Sequence, residues 1–298
     1  MQHELYVLPF DHRGSFQEKL FGIKDRPPME DETAMIADYK KVVYEGFLRA
    51  LALGAPKEKA AILVDEQFGA AVARDAQEQG ILFCMPVERS GQDEFDFEYE
   101  DYYQQHIEDF DPDFVKVLVR YNPEGDRSMN ERQAERLQML SEYCKKAERS
   151  LLFELLVPAT EAQLLGVGND KKRYDNEARP TLMVRAIHEL HLAGIEPVIW
   201  KLEGLNKRED YEAVATQARA NERDVGIIIL GRGENADAVR TWMQMGASVE
   251  GVIGFAVGRT VFMNALQSMK AGTYAREQAV EEIAKNYKGF CDLFEQAK

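Results

Sequence analysis

Eight short apolar segments, most of them separated by longer amphipathic ones, constrain the fold of this 298-residue chain more than any other feature. Near-continuous apolar runs are typical of strands that are covered on both faces of a sheet. Their alternation with helices predicts parallel pairing through right-handed crossovers. The segments are LYVLPF (5–10), AAILVD (60–65), ILFCMPVE (81–88), FVKVLVRY (114–121), LLFELLVP (151–158), PVIWKLE (197–203), VGIIILG (225–231) and VEGVIGFAV (249–257).

Eight strand–helix units in a chain of this length predict an α/β protein with a (β/α)8 TIM-barrel fold, forming a single domain over residues 1–298. A doubly wound open sheet is the alternative. It is disfavoured because no glycine-rich dinucleotide fingerprint follows the first strand. Helices are expected at residues 31–53, 68–80, 130–149, 179–193, 208–221, 236–245, 258–269 and 274–296.

An acidic, aromatic-rich insertion at residues 88–113 connects the third and fourth strands. We expect a solvated loop that carries a short helix near residues 101–107. A partner surface or an active-site lid remains the alternative.

Composition narrows the function classes. The net charge of −15 argues against a general nucleic-acid binder and against adhesion to anionic membranes. The N-terminus has no secretory signal, no apolar stretch is long enough to span a membrane, and the three cysteines show no CxxC pair. We therefore expect a cytoplasmic protein that acts on a small molecule, and the sequence leaves room for a homo-oligomer.

Three charged residues lie inside apolar strand segments. Lys116, Glu154 and Lys201 each have apolar neighbours on both sides, which predicts that all three point into the barrel. Buried charges must pair or change their protonation state. A dry pocket and a second nearby ammonium both lower the pKa of a lysine, and a neutral lysine forms Schiff bases with ketones. A purely structural ion pair between Glu154 and either lysine is the alternative.

Other polar residues follow the strands at the end where barrel active sites lie. Strand one ends in Asp11, His12 and Arg13, and strand four carries Arg120. The last two strands end in short glycine turns, which we expect to present N–H groups at helix starts and to bind a phosphate. The residues of these turns are Gly231, Arg232, Gly233, Gly258 and Arg259.

Two rival functions remain open at this point. A metal-dependent lyase or isomerase would use Asp11, His12, Asp65 and Glu66, although no histidine cluster converges there. A sugar-phosphate-binding regulator would bind the phosphate without turnover.

Six motifs resemble the tagatose-1,6-bisphosphate aldolase group of class I aldolases over nearly the whole chain. The resemblance is closer to the aldolase-like C-terminal domain that is fused to the sugar kinase 5-dehydro-2-deoxygluconokinase in bacterial inositol catabolism. The motifs are FDHRGSF (10–16), VDEQFG (64–69), FVKVLVRYNPEGD (114–126), LLFELLVP (151–158), PVIWKLE (197–203) and GFAVGRTVF (254–262).

The resemblance implies roles for individual residues. Lys201 matches the Schiff-base lysine, Lys116 the lysine beside it, Glu154 the glutamate that moves protons, and Asp11 the aspartate after strand one. The turns after strands seven and eight match the phosphate-binding loops. The implied reaction is cleavage of 2-deoxy-5-keto-gluconate 6-phosphate to dihydroxyacetone phosphate and malonate semialdehyde, without a metal or other cofactor. Arg13 or Arg120 would meet the substrate carboxylate.

Overall fold

Eight parallel strands close into a barrel in chain order in the computed structural model, which describes residues 3–298. The last strand pairs with the first, so that Leu5 lies opposite Gly254 and the sheet has no free edge. The strands are β1 (Leu5–Pro9), β2 (Ala60–Leu63), β3 (Leu82–Pro86), β4 (Phe114–Arg120), β5 (Ser150–Leu156), β6 (Ile199–Glu203), β7 (Gly226–Leu230) and β8 (Val252–Ala256). The predicted (β/α)8 barrel is confirmed.

Helices surround the barrel and bury their apolar faces against it. Each long helix overlaps the residues predicted for it, with ends that differ by a few residues. The helices are α1 (Gly14–Phe16), α2 (Glu30–Ala52), α3 (Glu66–Glu78), α4 (Tyr103–Phe110), α5 (Arg127–Lys146), α6 (Glu161–Gly166), α7 (Lys171–Glu177), α8 (Arg179–Leu192), α9 (Arg208–Ala218), α10 (Ala236–Gly246), α11 (Arg259–Lys270) and α12 (Arg276–Ala297).

Short helical segments outside the 88–113 insertion were not predicted. A π-helical segment, Gln17–Phe21, continues α1, and the β5–β6 connection folds into α6 and α7. Both helices begin at side-chain caps: Thr160 accepts a hydrogen bond from the N–H of Gln163, and Asp170 accepts from those of Lys172 and Arg173. Segments this short hold too few turns to show an apolar period.

The interior of the barrel changes from apolar to charged along the strand direction. An apolar cluster inside the barrel includes Leu152 of β5 and Ile199 of β6. Side chains two residues apart on a strand share a face, so the next inward positions on these strands are Glu154 and Lys201. The charged groups therefore gather towards the carboxyl ends of the strands.

The insertion at residues 88–113 is folded and packs on the barrel. It contains a 3₁₀ turn at Glu100–Tyr102 followed by α4, close to the expected short helix. Its aromatic side chains form a small core, in which the rings of Phe97 and Tyr103 stack at a centroid separation of 3.9 Å. The insertion is thus more than a solvated loop.

None of the helices described in residues 3–298 has the length and apolar character needed to cross a membrane.

Candidate active site

Two lysines share one carboxylate oxygen inside the barrel. The Nζ atom of Lys201 donates to Oε2 of Glu154 at 2.9 Å, and Nζ of Lys116 lies 3.0 Å from the same oxygen. Glu154 and Lys201 are register partners on β5 and β6, while Lys116 of β4 lies opposite Leu152. All three side chains are buried, as their positions within apolar segments predicted.

Lys116 is surrounded by carboxylates. Besides Glu154, its ammonium donates to Oδ2 of Asp11 at 2.9 Å and to Oε1 of Glu88 at 2.5 Å. An ammonium has three N–H donors, so these three acceptors use all of them. A substrate oxygen would bind Lys116 only by displacing one of the carboxylates.

Burial and the neighbouring charges set the protonation states of this cluster. Burial alone would lower the pKa of Lys116, but Asp11, Glu154 and Glu88 outweigh it and hold this pKa well above its usual value. Burial would raise the pKa values of Asp11 and Glu154, yet the positive charges of Lys116 and Lys201 lower both. At neutral pH the cluster therefore contains a charged Lys116 beside two ionised carboxylates.

The cluster opens into a cavity of about 1170 Å³ at the carboxyl ends of the strands. Its wall includes Lys201, Glu154, Lys116 and Asp11. Residues that follow other strands, such as Gln67 after β2 and Arg232 after β7, also line it. Oxygen Oε1 of Glu154 accepts no hydrogen bond from any residue in 3–298, which leaves it free to meet a ligand. The cavity is large enough for a phosphorylated sugar.

Both arginines that were predicted to meet a carboxylate line this cavity. Arg13 donates from Nη1 to Oε2 of Glu98 at 2.8 Å and from Nη2 to the main-chain carbonyl of Glu88. Arg120 donates from Nη1 to the carbonyl of Gln92 at 2.6 Å. The insertion therefore fixes both guanidinium groups at the cavity wall.

The glycine turns after β7 and β8 approach each other through their arginines. Arg259 donates from Nη2 to the carbonyl oxygen of Arg232 at 2.7 Å. The guanidinium of Arg259 packs directly on Gly233, where a Cβ atom would lie 2.6 Å from it. Gly258 lies against the Pro9 carbonyl oxygen, which a Cβ would approach to 2.1 Å. Close packing against the backbone therefore requires glycine at position 258, whereas the φ of +73° favours glycine at position 233, where the arginine side chain can move.

The two turns differ in their relation to the helices. The turn containing Gly258 leads directly into α11, which begins at Arg259, and thus presents a helix N-terminus. Helix α10 begins only at Ala236, after its N-cap Asn235. The expectation that the N–H groups of residues 231–233 lie at a helix start is therefore wrong. Gly231 donates its N–H to the carbonyl of Ala256.

The side chain of Arg232 is engaged by acidic groups. It lies 2.9 Å from Oδ2 of Asp175 and 3.1 Å from Oε1 of Glu203. A phosphate would have to compete with these carboxylates for Arg232, whereas Arg259 has no carboxylate partner within ion-pair distance among residues 3–298. Phosphate binding at these turns stays a prediction.

The side chains of the rival metal site do not converge. Asp65 pairs with Lys40, and Glu66 lies 2.8 Å from Nδ1 of His106, away from Asp11 and His12. Within residues 3–298 no group of three or more histidine, cysteine, aspartate or glutamate side chains is arranged to hold a metal ion.

The sequence interpretation missed two contacts. Glu88 was noted only as the end of a strand, yet it is bound to Lys116. The buried Lys40–Asp65 pair was not foreseen at all. A signal for it exists, because Lys40 follows Ile36 by four residues and precedes Val43 by three, on the apolar face of α2.

Comparison with protein families gives a match over residues 1–298. The matching family is described as "Uncharacterized protein conserved in bacteria (DUF2090)". The chain belongs to this family. A comparison with curated proteins gave no match.

Solved structures share the barrel of this DUF2090 protein at low sequence identity. A Schiff base forming fructose-1,6-bisphosphate aldolase is 11% identical with a TM-score of 0.59, covering 97% of this chain and 94% of that one. The fructose-bisphosphate aldolase of Plasmodium falciparum is 11% identical with a TM-score of 0.65, covering 98% and 91%. The protein Cgl0159 of Corynebacterium glutamicum is 14% identical with a TM-score of 0.54, covering 95% and 85%. These similarities establish a shared fold.

Proposed function

We propose that the protein is a Schiff-base aldolase that cleaves a ketose phosphate, with Lys201 as the nucleophile. One observation carries the proposal: oxygen Oε2 of Glu154 lies 2.9 Å from Lys201 and 3.0 Å from Lys116, on the wall of the large cavity. Nucleophilic amine catalysis needs a lysine, a proton-transfer group within hydrogen-bond reach, and access for the ketone. The cavity wall supplies all three.

The reaction begins when the Lys201 ammonium passes a proton to Glu154 and its amine attacks the substrate ketone. The ketone oxygen takes up that proton from Glu154 and a second proton from the lysine nitrogen, and it leaves as water to give an iminium. Glu154 then takes the proton from the hydroxyl on the carbon β to the iminium carbon. The bond between the α and β carbons breaks, the β carbon leaves as an aldehyde, and the electron pair forms an enamine. Protonation of the α carbon and hydrolysis release the ketone product and restore Lys201.

The iminium accepts the electron pair, so this chemistry requires no metal ion. Glu154 is suited to its role because the two lysines keep it ionised despite burial. Asp11 and Glu88 hold Lys116 in place, and the positive charge of Lys116 stabilises the negative charge that develops on the substrate oxygen.

The most specific substrate that we propose is 2-deoxy-5-keto-gluconate 6-phosphate, giving dihydroxyacetone phosphate and malonate semialdehyde. It is supported by the motif resemblance to the aldolase-like domain of inositol catabolism. In this proposal the phosphate binds at the start of α11, with Gly258 and Arg259 as its first contacts and residues 231–233 beside them.

The test is borohydride trapping. The protein is incubated with dihydroxyacetone phosphate, reduced with borohydride, and digested for mass spectrometry. We expect a covalent adduct on Lys201 that is absent from Lys201→Ala, together with a loss of cleavage activity of at least about 10³-fold. Folding should be retained, because Glu154 keeps its contact with Lys116.

Lys285→Ala is the matched control, since this lysine is exposed on α12 and lies outside the cavity wall, where it pairs with Glu281. It should form the adduct as the unmodified protein does. Absence of any adduct at saturating ligand would reject the Schiff-base mechanism.

A further inference from the structure

Three residues beside the cluster carry buried polar atoms that have no hydrogen-bond partner. They are Nδ1 of His12, Nε of Arg13 and Oε2 of Glu88. All three residues line the cavity, whereas none of the other residues in 3–298 with such an atom does so. Buried polar groups are normally paired, so unpaired ones at a cavity wall indicate where a ligand completes the bonding.

The other side-chain polar atoms of Glu88 and Arg13 are hydrogen-bonded, so Oε2 of Glu88 and Nε of Arg13 are the ones left unpaired. Glu88 is only 6% exposed, and its other carboxyl oxygen, Oε1, is fixed by Lys116 at 2.5 Å. Arg13 is also 6% exposed, and both of its terminal nitrogens are occupied, one by Glu98 and one by the carbonyl of Glu88. Because Arg13 binds the backbone of Glu88, the two residues form one unit at the ends of β1 and β3.

We propose that Glu88 and Arg13, with His12 beside them, form a subsite that binds a carboxylate of the substrate. Arg13 donates its Nε–H and Glu88 donates a proton from Oε2 to the ligand oxygens. The subsite lies at the ends of β1 and β3 and lines the same cavity as the turns after β7 and β8, so one ligand with two anionic groups can contact both. This inference rests on the proposed aldolase function and adds Glu88, as a hydrogen-bond donor, to the residues that hold the carboxylate of the substrate.

The local charges favour this assignment. Burial raises the pKa of Glu88, and although Lys116 and Arg13 oppose that rise, Asp11 adds to it. A protonated Glu88 is a donor, and it leaves fewer negative charges to repel an incoming carboxylate. The charged groups that surround the Glu88 carboxyl are Lys116 of β4, Asp11 and Arg13 after β1, Glu98 of the insertion and, through Lys116, Glu154 of β5.

Binding of a carboxylate should therefore be coupled to protonation of Glu88. The probe is 3-hydroxypropanoate, measured by isothermal titration calorimetry between pH 5.5 and 8.5 in buffers of different ionisation enthalpy. We expect proton uptake on binding and an affinity that falls as pH rises. Glu88→Gln, which retains a donor but does not titrate, should bind with an affinity that no longer depends on pH in this way.

Glu88→Ala should weaken binding about ten- to hundredfold, since it removes a hydrogen bond to a charged group. Glu100→Gln is the matched control, because this glutamate is exposed in the same insertion and outside the cavity wall. Equal affinity and equal pH dependence in the unmodified protein and Glu88→Gln would overturn the subsite, as would the absence of binding.

Borohydride trapping of dihydroxyacetone phosphate separates this inference from the proposed function. That ligand has no carboxylate, so Glu88→Gln should still form the Lys201 adduct. An adduct without Glu88-dependent carboxylate binding would reject the subsite alone. Failure of the adduct in the unmodified protein would reject the aldolase proposal instead.

Discussion

Among the buried lysine–carboxylate pairs within residues 3–298, two differ in their access to ligands. Lys201 and Glu154 lie on the wall of the cavity, and Glu154 also pairs with Lys116. Lys40 of α2 and Asp65 after β2 are completely enclosed, at 0% and 1% exposure, and neither lines the cavity. We call these the open pair and the sealed pair.

The sealed pair has the features of a structural contact. The Lys40 ammonium lies 5.6 Å from the ring centres of both Phe16 and Phe68, and Asp65 also caps α3 by accepting the N–H of Phe68 at 2.9 Å. The sealed pair therefore connects α2 to the N-terminus of α3. A buried lysine bound to a carboxylate is therefore insufficient to identify a catalytic site, and the open pair is distinguished by its second lysine and its cavity.

The largest expected difference between the two pairs is in the cleavage rate, which should depend on the open pair. Glu154→Gln removes the carboxylate that takes the substrate proton, and loss of a general base costs about 10²- to 10⁴-fold in rate. The substituted side chain has nearly the same shape, so Lys201 should still be trapped by dihydroxyacetone phosphate and borohydride, although more slowly. Steady-state cleavage rates and adduct mass spectra measure the two properties separately.

Glu135→Gln is the control for Glu154→Gln, since Glu135 is exposed on α5. It should leave both the rate and the adduct unchanged. An unchanged cleavage rate in Glu154→Gln would show that another group moves the proton.

The sealed pair should instead govern stability. Lys40→Met leaves the Asp65 carboxyl buried without its hydrogen-bond and ion-pair partner, which costs about 3–5 kcal/mol in the free energy of unfolding. Chemical denaturation followed by circular dichroism measures this change. Protein that remains folded should still form the Lys201 adduct.

The double variant Lys40→Met with Asp65→Asn sharpens this test. Asparagine keeps an oxygen that can cap α3 but removes the uncompensated charge, so much of the lost stability should return. If Lys40→Met unfolded no more easily than the unmodified protein, the sealed pair would have no structural role.

The fold was predictable because its signal is distributed along the whole chain. Each strand lies within one residue of a predicted apolar segment, and each long helix has enough turns to show its apolar period. The short helices in the β5–β6 connection depend on single capping residues such as Thr160 and Asp170, which resemble ordinary loop residues in sequence. Thr160 and Gln163 do form a capping box, a pattern that is visible in the sequence, but no long apolar period follows it.

The inward direction of the open pair was also predictable, since alternation along β4, β5 and β6 fixes which side chains share a face. The partners were harder to foresee. Asp65 was assigned to a rival metal site, but it pairs with Lys40, which lies on a different element 25 residues away along the chain. Glu88 reaches Lys116 because β3 and β4 are neighbours, and its bond depends on a side-chain rotamer that periodicity does not specify.

A smaller difference between the two pairs should appear on acidification. His12 lies beside the open pair's cluster, and burial lowers its pKa to about 4, with Arg259 and Lys201 lowering it further and Asp11 opposing them. The unfolded chain therefore binds a proton at His12 between the ordinary value of 6.5 and about 4, while the folded protein does not. Stability from a neutral His12 is complete above pH 6.5 and is lost as the pH falls towards 4.

His12→Gln should remove this contribution, so the free energy of unfolding should fall less steeply between pH 7 and pH 5 than in the unmodified protein. The expected difference at pH 5 is about 2 kcal/mol, measured by denaturation at each pH. His188→Gln, at an exposed position on α8, should follow the unmodified curve. Parallel curves for the unmodified protein and His12→Gln would show that His12 takes up a proton equally readily in the folded and unfolded states, so the cavity wall beside the open pair would be better solvated than its burial indicates.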